Sequence, residues 1–198
     1  GWTDAPNAVA TVISTRALPP LVAVAMAATL NLAGALSGTA VATPIGKGIV
    51  DIDLLTKETG LQIGAAAALA VVIWSSAAAY FGLPTSESHG IVSGIAGAAV
   101  AVAGTDVLLW SGWQKVFTGV GAAVIFGFGG AFLIMILILW LFQRASPSLM
   151  RRTFAPLQVL SSAFMAWSHG TADGQKAIGL MAMLLAIWND TPAKEFHV

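Results

Sequence analysis

The sequence predicts an all-α polytopic membrane protein, and three observations lead to this fold class. Of the 198 residues, 57% are hydrophobic and only 9% are charged, whereas about 25% of the residues of a typical soluble protein are charged. Three runs, 17–46, 59–86 and 116–143, contain no formal charge. Each run exceeds the roughly 20 apolar residues that a helix needs to cross a bilayer. Polar, Gly-rich motifs lie beside these runs, which indicates interrupted or re-entrant helices.

The first part of the chain alternates spans with an interrupted segment. A first span is predicted at about 18–36, entered through Pro19-Pro20. The Gly- and Thr-rich stretch that follows is broken by Pro44, which predicts a re-entrant or interrupted helix at about 40–55. A second span is predicted at about 61–81.

A polar cluster, a short span and a surface segment come next. In the predicted element 85–103, four polar residues at 85–88 stand directly before a short apolar stretch, which is nearer to a half-span than to a full one. The segment 105–117 contains two tryptophans and predicts an amphipathic segment at the membrane surface. The longest span is predicted at 118–142.

The distribution of basic residues indicates how the chain divides. Residues 143–156 hold three of the nine Lys and Arg residues and no acid, which predicts a short cytoplasmic loop. This loop separates a first transmembrane repeat, residues 1–142, from the start of a second one, residues 157–198. The chain begins with Gly inside a polar motif, and it ends before a further pair of spans. We therefore interpret the sequence as a fragment of a longer chain, with a truncated second repeat.

Two polar motifs match each other at an offset of 169 residues. The matching pairs are Gly1 and Gly170, Asp4 and Asp173, Asn7 and Lys176, and Ala8 and Ala177. Duplicated polar motifs in interrupted apolar segments are typical of secondary transporters built from structural repeats. Five predicted membrane elements separate the two motifs, and an odd number gives the copies opposite orientations. The sequence therefore predicts an inverted-repeat secondary transporter.

The repeated carboxylates predict a coupling-ion site. A charge at the centre of a membrane helix costs at least about 2.5–3.5 kcal/mol, so Asp4 and Asp173 are expected to have a function unless they lie at the water interface. Carboxylates repel anions, so they fit cation ligands or proton carriers. Sodium needs several oxygen ligands, which Asp4, Asn7 and Thr43 could supply, with Asp173 as the corresponding candidate in the second copy.

A cluster of hydroxyl groups predicts an oxyanion site. Thr85, Ser86 and Ser88 stand at a predicted helix start, where free N–H groups and the positive end of the helix dipole attract anions. The alternative for each hydroxyl is ordinary helix capping. Two further side chains, His89 and His169, are candidates for a proton relay, the alternative being a simple hydrogen bond to a neighbouring helix.

Lys176 takes the place that the amide of Asn7 holds in the first copy. Two like charges about 4 Å apart repel by about 4 kcal/mol at an effective dielectric constant near 20. Lys176 is therefore expected to exclude a metal cation at Asp173 and to pair with Asp173 or with the transported anion. At most one sodium site is expected, near Asp4 and Asn7.

Four stretches of the chain resemble one known family. They are "GWTDAPNAVATVISTRAL", "GTAVATPIGKGIVD", "GLPTSESHGIVSGIAG" and "SHGTADGQKAIG", and they resemble the inorganic phosphate transporter family, the Pit-type or PHO-4 carriers. The resemblance implies inward transport of phosphate coupled to sodium or protons, on an inverted-repeat helical fold that is often dimeric. It also implies a multi-pass protein of the cytoplasmic membrane that works as a homodimer. The phosphate-binding residues are then expected to be Thr85, Ser86, Ser88, Asn7, Thr11, Gln175 and Lys176.

The chain departs from the usual family signature, which has Asn before each Asp and Asn three residues after it. Thr3 and Ala172 take the first place here, and Lys176 takes the last place in the second copy. The string "DGQK" is similar to the bacterial low-affinity branch, where proton coupling and metal–phosphate substrates occur. This departure argues against sodium at Asp173.

Three other functions compete with phosphate symport. A carrier of sulfate or another oxyanion would use similar signatures. A channel or structural membrane subunit would have no need of a repeated charged motif. An enzyme has the least support, because no nucleophile and base stand at a known spacing. Neither a bound cofactor nor nucleic acid is expected, since the chain has no cysteine and its net charge is zero.

Overall fold

The computed structural model describes residues 5–38, 48–83 and 85–190. Nearly all of these residues are helical. The α-helices are α1 (Ala5–Ser14), α2 (Pro20–Leu36), α3 (Lys57–Phe81), α4 (Glu87–Ala103), α5 (Trp110–Phe142), α6 (Pro147–His169) and α7 (Gln175–Trp188). Short 3₁₀ turns lie at Ile52–Leu54 and Thr105–Val107, and a five-residue π turn, Gly170–Gly174, joins α6 to α7 without a break.

The first group of helices consists of α1, α2 and α6. They pack through small apolar side chains that include Ala8, Val12, Ala23, Ala27 and Ala166. Alanines allow close approach of helices, as is usual where lipid removes the hydrophobic drive for association. Ser162 of α6 donates a buried hydrogen bond to the main-chain carbonyl of Ala8, which ties α1 to α6.

The second group consists of α3, α4 and α7. Its core contains Ile63, Ala67, Ile95 and Met183 among its buried side chains. Gly64 of α3 lies directly against the side chain of Leu184 in α7. The π turn lies between the two groups, because it contacts α2 on one side and leads into α7 on the other.

Two glycines bring α2 and the π turn into backbone contact. A Cβ atom at Gly170 would lie 2.7 Å from the carbonyl carbon of Asn31, and one at Gly34 would lie 2.9 Å from the amide nitrogen of Thr171. Real side chains do not tolerate such distances. The absence of side chains at these two positions therefore sets how closely α2 approaches the π turn.

Helix α5 differs from the others because none of its 33 residues is buried. In the described part of the chain, α3 and α5 are the two helices that are long and apolar enough to cross a membrane. At 1.5 Å per residue α5 is about 50 Å long, which exceeds the roughly 30 Å hydrocarbon core. An exposed apolar surface of this size fits an environment of lipid or of other membrane helices.

The structure confirms the all-α fold class and has helices at four of the predicted spans, of which those of α3 and α5 are long and apolar enough to cross a membrane. Helix α2 covers the span predicted at 18–36, α3 covers 61–81, α4 covers 85–103 and α5 includes 118–142. The starts of α3 and α4 have clear causes: Thr56 accepts a hydrogen bond from the Thr59 amide at the start of α3, and Ser86 caps α4. Most of the segment predicted at 40–55 lies outside the described residues.

Two predicted boundaries are wrong. Residues 105–117 are not a separate amphipathic segment, because α5 begins at Trp110 and continues into the span. Residues 143–156 are not a loop, because α6 begins at Pro147. Ser146 accepts a hydrogen bond from the Leu149 amide, and proline at the first position of a helix is favourable. Pro156 then lies within α6, as membrane helices tolerate.

Candidate substrate-binding site

The second polar motif forms the π turn at the junction of α6 and α7. The turn comprises Gly170–Gly174 and includes Asp173. Single π turns within α-helices occur frequently at functional sites. The predicted interruption of this segment is therefore a local widening of a continuous helix, and it presents no free helix N-terminus.

Asp173 is the centre of a polar cluster that joins the π turn to α4 and α7. The hydroxyl of Ser88 donates to Asp173 Oδ1 at 2.8 Å, and Lys176 Nζ lies 2.6 Å from the same oxygen. Lys176 also donates to the Ser88 hydroxyl. The side chains of Lys176 and Asp173 keep only 19% and 24% of their surface exposed. The predicted pairing of Lys176 with Asp173 is confirmed.

His169 connects this cluster to α2. Its Nδ1 lies 2.6 Å from Asn31 Oδ1. Its Nε2 lies 3.1 Å from Asp173 Oδ2, but no hydrogen bond joins the two atoms. The other end of the Asn31 amide, Nδ2, donates to the carbonyl of Ala27 at 2.8 Å. His169 therefore lies between Asn31 of α2 and the carboxylate of Asp173 in the π turn.

A cavity of about 290 Å³ opens beside this cluster. In liquid water this volume holds about ten molecules. It is therefore large enough for a tetrahedral oxyanion. Helices α2, α4, α6 and α7 and the π turn all contribute to its wall. The lining residues are Asn31, Glu87, Ser88, Ile91, His169, Gly170, Asp173, Gly174, Lys176 and Ala177.

The predicted hydroxyl cluster is divided between two cavities. Ser88 lines the cavity beside Asp173, whereas Thr85 and Ser86 line a second, more open cleft of about 570 Å³ between α3 and α4, together with His89. Successive helix residues are rotated by about 100°, so side chains two positions apart point in nearly opposite directions. Thr85 accepts a hydrogen bond from Trp74 Nε1 at 2.7 Å, and Ser86 is the N-cap of α4.

Several other predicted site residues do not line the cavity beside Asp173. Asn7 and Thr11 are exposed on α1, and Gln175 is buried without lining that cavity. The structure therefore does not unite them with Ser88 and Lys176. Asp4 and Thr43, the predicted sodium ligands, lie outside the described residues.

The sequence analysis missed Asn31 as a site residue. Its signal is visible in retrospect, because Asn31 is the only amide side chain in the uncharged run 17–46. Glu87 also lines the cavity and was likewise not predicted as a site residue.

The described residues contain no group of three or more His, Asp or Glu side chains arranged to hold a metal ion. At Asp173, one carboxylate oxygen is bound by both Lys176 and Ser88. The Lys176 ammonium lies 2.6 Å from this oxygen, and the expected exclusion of sodium from Asp173 stays a prediction.

Comparison with known proteins agrees with this arrangement of motifs. A model of the phosphate transporter family matches residues 1–156. The chain belongs to the phosphate transporter family. This result confirms the resemblance on which the sequence analysis relied, and members of the family are transporters rather than enzymes.

Named relatives from bacteria support the family membership. A protein of Bacillus subtilis described as a "probable low-affinity inorganic phosphate transporter" is 36% identical over 189 residues, which is 96% of this chain and 56% of that protein. A Rhizobium meliloti protein with the same description is 36% identical over 93% of this chain and 54% of its own length. A third, from Streptomyces halstedii, is 39% identical over 86% of this chain and 78% of its own. The chain thus spans about half the length of the first two relatives.

No solved structure matches the chain. The site geometry described above therefore comes from this structure alone. Together with the two long apolar helices, the family membership identifies an integral membrane protein.

Proposed function

We propose that the protein is an ion-coupled symporter of inorganic phosphate and that the cavity beside Asp173 is part of its substrate site. The observation that supports this most directly is the Ser88–Asp173–Lys176 cluster, which lines a cavity at the junction of the two helix groups. Substrate sites of secondary transporters lie at such junctions. We further propose that the protein is multi-pass and lies in the cytoplasmic membrane.

The charges around the cavity favour symport over uniport. Glu87 and Asp173 contribute two negative charges and Lys176 one positive charge, so the wall is net negative when His169 is neutral. A phosphate dianion adds two further negative charges. A proton or a metal cation that enters with phosphate reduces this repulsion, and metal–phosphate is one form in which both could enter together.

Protons are the favoured coupling ion at this cavity. Lys176 already supplies a fixed cation at Asp173, and a sodium ion beside it would be repelled. One sodium site near Asp4 and Asn7 is compatible with this proposal, since that motif has the neutral amide of Asn7 where the other motif has Lys176.

The inverted repeat and the homodimer are also proposals. The two polar motifs that correspond at an offset of 169 residues support a repeat. For the homodimer, α5 offers a fully exposed surface with small residues at Gly119, Ala123 and Gly127, a spacing that allows close helix packing.

Sulfate is the strongest competing substrate. The cavity wall carries the carboxylates of Glu87 and Asp173, which accept hydrogen bonds. At neutral pH phosphate retains at least one hydrogen that it can donate, whereas sulfate retains none. A site that requires a donor from its substrate rejects an analogue that lacks one, so phosphate is the better fit.

The test is uptake by the full-length protein in liposomes. With an imposed proton gradient and no sodium, we expect phosphate to accumulate and excess sulfate to compete weakly. A sodium gradient alone should drive less uptake, and Lys176→Asn should increase the share that depends on sodium. Strong competition by sulfate would refute the substrate assignment, and steep uptake driven by sodium alone in the unmodified protein would refute the role of Lys176.

A further inference from the structure

The orientation of the Asn31 amide determines which nitrogen of His169 carries hydrogen. The two ends of this amide have different partners: Nδ2 lies 2.8 Å from the Ala27 carbonyl oxygen, and Oδ1 lies 2.6 Å from His169 Nδ1. A carbonyl oxygen only accepts hydrogen bonds, so the NH₂ group must face Ala27. The opposite orientation would place two oxygens against each other.

With the amide fixed in this way, Asn31 Oδ1 must accept a hydrogen bond from His169. Because Oδ1 has no hydrogen, Nδ1 of the ring must carry one. In a neutral imidazole the other nitrogen, Nε2, is then bare. Nε2 lies 3.1 Å from Asp173 Oδ2 and has no hydrogen-bond partner, so no contact at this nitrogen requires a hydrogen there.

We infer that Asn31 is a positioning residue that holds neutral His169 in its Nδ1–H tautomer and so presents a bare Nε2 beside Asp173. This inference concerns the site of the proposed function. The groups that face His169 are Asn31 from α2, Asp173 from the π turn, and Glu87 and Lys176 across the cavity. Without Asn31, the carboxylate of Asp173 would favour the opposite tautomer, in which Nε2–H donates to it.

The consequence for the site is electrostatic, because His169 Nε2 is itself buried and does not reach a ligand. A neutral ring adds no positive charge beside Asp173, so Lys176 is the fixed cation at that carboxylate. Asn31 acts on the site only through His169, since both ends of its amide are already bonded.

Nitrogen NMR of the full-length protein labelled with ¹⁵N-histidine tests this inference directly. The 198-residue sequence contains three histidines, His89, His169 and His197, and His169→Gln identifies the signals of interest. At alkaline pH, where imidazole is neutral, we expect Nδ1 to be the hydrogen-bearing nitrogen by about five- to tenfold, the preference that one hydrogen bond provides. In Asn31→Leu we expect Nε2 to carry the hydrogen instead.

Two further variants keep the test decisive. Asn31→Asp retains an acceptor oxygen for Nδ1 and should retain the Nδ1–H tautomer, which guards against a result caused by misfolding of the leucine variant. Asn189→Leu, an exposed position at the end of α7, is the matched control and should leave the His169 signals unchanged. A neutral wild-type ring with hydrogen on Nε2, or an unchanged tautomer in Asn31→Leu, would overturn the inference. Neither result depends on whether the protein transports phosphate.

Discussion

Gly170→Ala is expected to disrupt both the fold and the site. The new Cβ atom would lie 2.7 Å from the carbonyl carbon and 2.8 Å from the Cα atom of Asn31. These are main-chain atoms of α2, so no side-chain rotation relieves the overlap, and the helix itself must move. Overpacking typically costs about 1–3 kcal/mol, and we expect the upper end of this range. The movement would also pull Asn31 away from His169.

The measurement is the thermal unfolding midpoint of the purified protein in detergent, followed by phosphate uptake in liposomes. Gly97→Ala on α4 is the control, because a Cβ atom there meets nothing within 4 Å. Alanine in place of glycine within a helix stabilises it by roughly 0.5–1 kcal/mol, so this control should be neutral or slightly stabilising. Equal midpoints for the two variants would show that α2 and the π turn are not in close contact.

Asp173→Asn is expected to abolish concentrative uptake of phosphate. The substitution removes the charge that pairs with Lys176 and accepts from Ser88, so a half-buried ammonium loses its counter-charge. Breaking a buried ion pair costs about 3–5 kcal/mol; the partial exposure of this pair reduces the expected loss of stability to roughly 2–3 kcal/mol. Without its charge, residue 173 also loses one charge-assisted interaction with the transported phosphate and its coupling ion. This loss should lower uptake of phosphate by at least about tenfold.

A second ion pair in the same protein provides the control. Lys57 Nζ lies 2.9 Å from Asp190 Oδ2, but the two side chains are 41% and 70% exposed. Exposed ion pairs contribute about 0–1 kcal/mol, so Asp190→Asn should change neither stability nor uptake appreciably. If Asp173→Asn still concentrates phosphate against a gradient, the carboxylate has only a structural role.

Composition and short spacings were sufficient to predict most of the fold and part of the site. The spans follow from uncharged runs long enough to cross a bilayer. The pairing of Asp173 with Lys176 follows from their separation by three residues, which places them on the same face of a helix. The error at 143–156 arose because three basic residues without an acid suggested a loop, whereas Ser146-Pro147 is a favourable helix start.

The rest of the site depends on contacts between distant segments. Asn31 reaches His169 only because Gly34 and Gly170 allow α2 to approach the π turn, and no local pattern reports that approach. The separation of Ser88 from Thr85 depends on where α4 begins, because Thr85 precedes the N-cap Ser86 whereas Ser88 lies within the helix. Within a helix, residues three apart would share a face, so the cluster of hydroxyl groups alone does not report this separation.

The most direct test of the proposed substrate site compares two hydroxyl groups at the same helix start. Binding of radiolabelled phosphate to the purified full-length protein should be measured for Ser88→Ala and for Thr85→Ala. Ser88 lines the cavity beside Asp173, and Thr85 lines the other cleft. We expect Ser88→Ala to raise the Kd for phosphate by about ten- to a hundredfold, the effect of one lost hydrogen bond to a charged group, and Thr85→Ala to leave it unchanged. Weaker binding in Thr85→Ala with unchanged binding in Ser88→Ala would place the substrate in the other cleft and contradict the assignment.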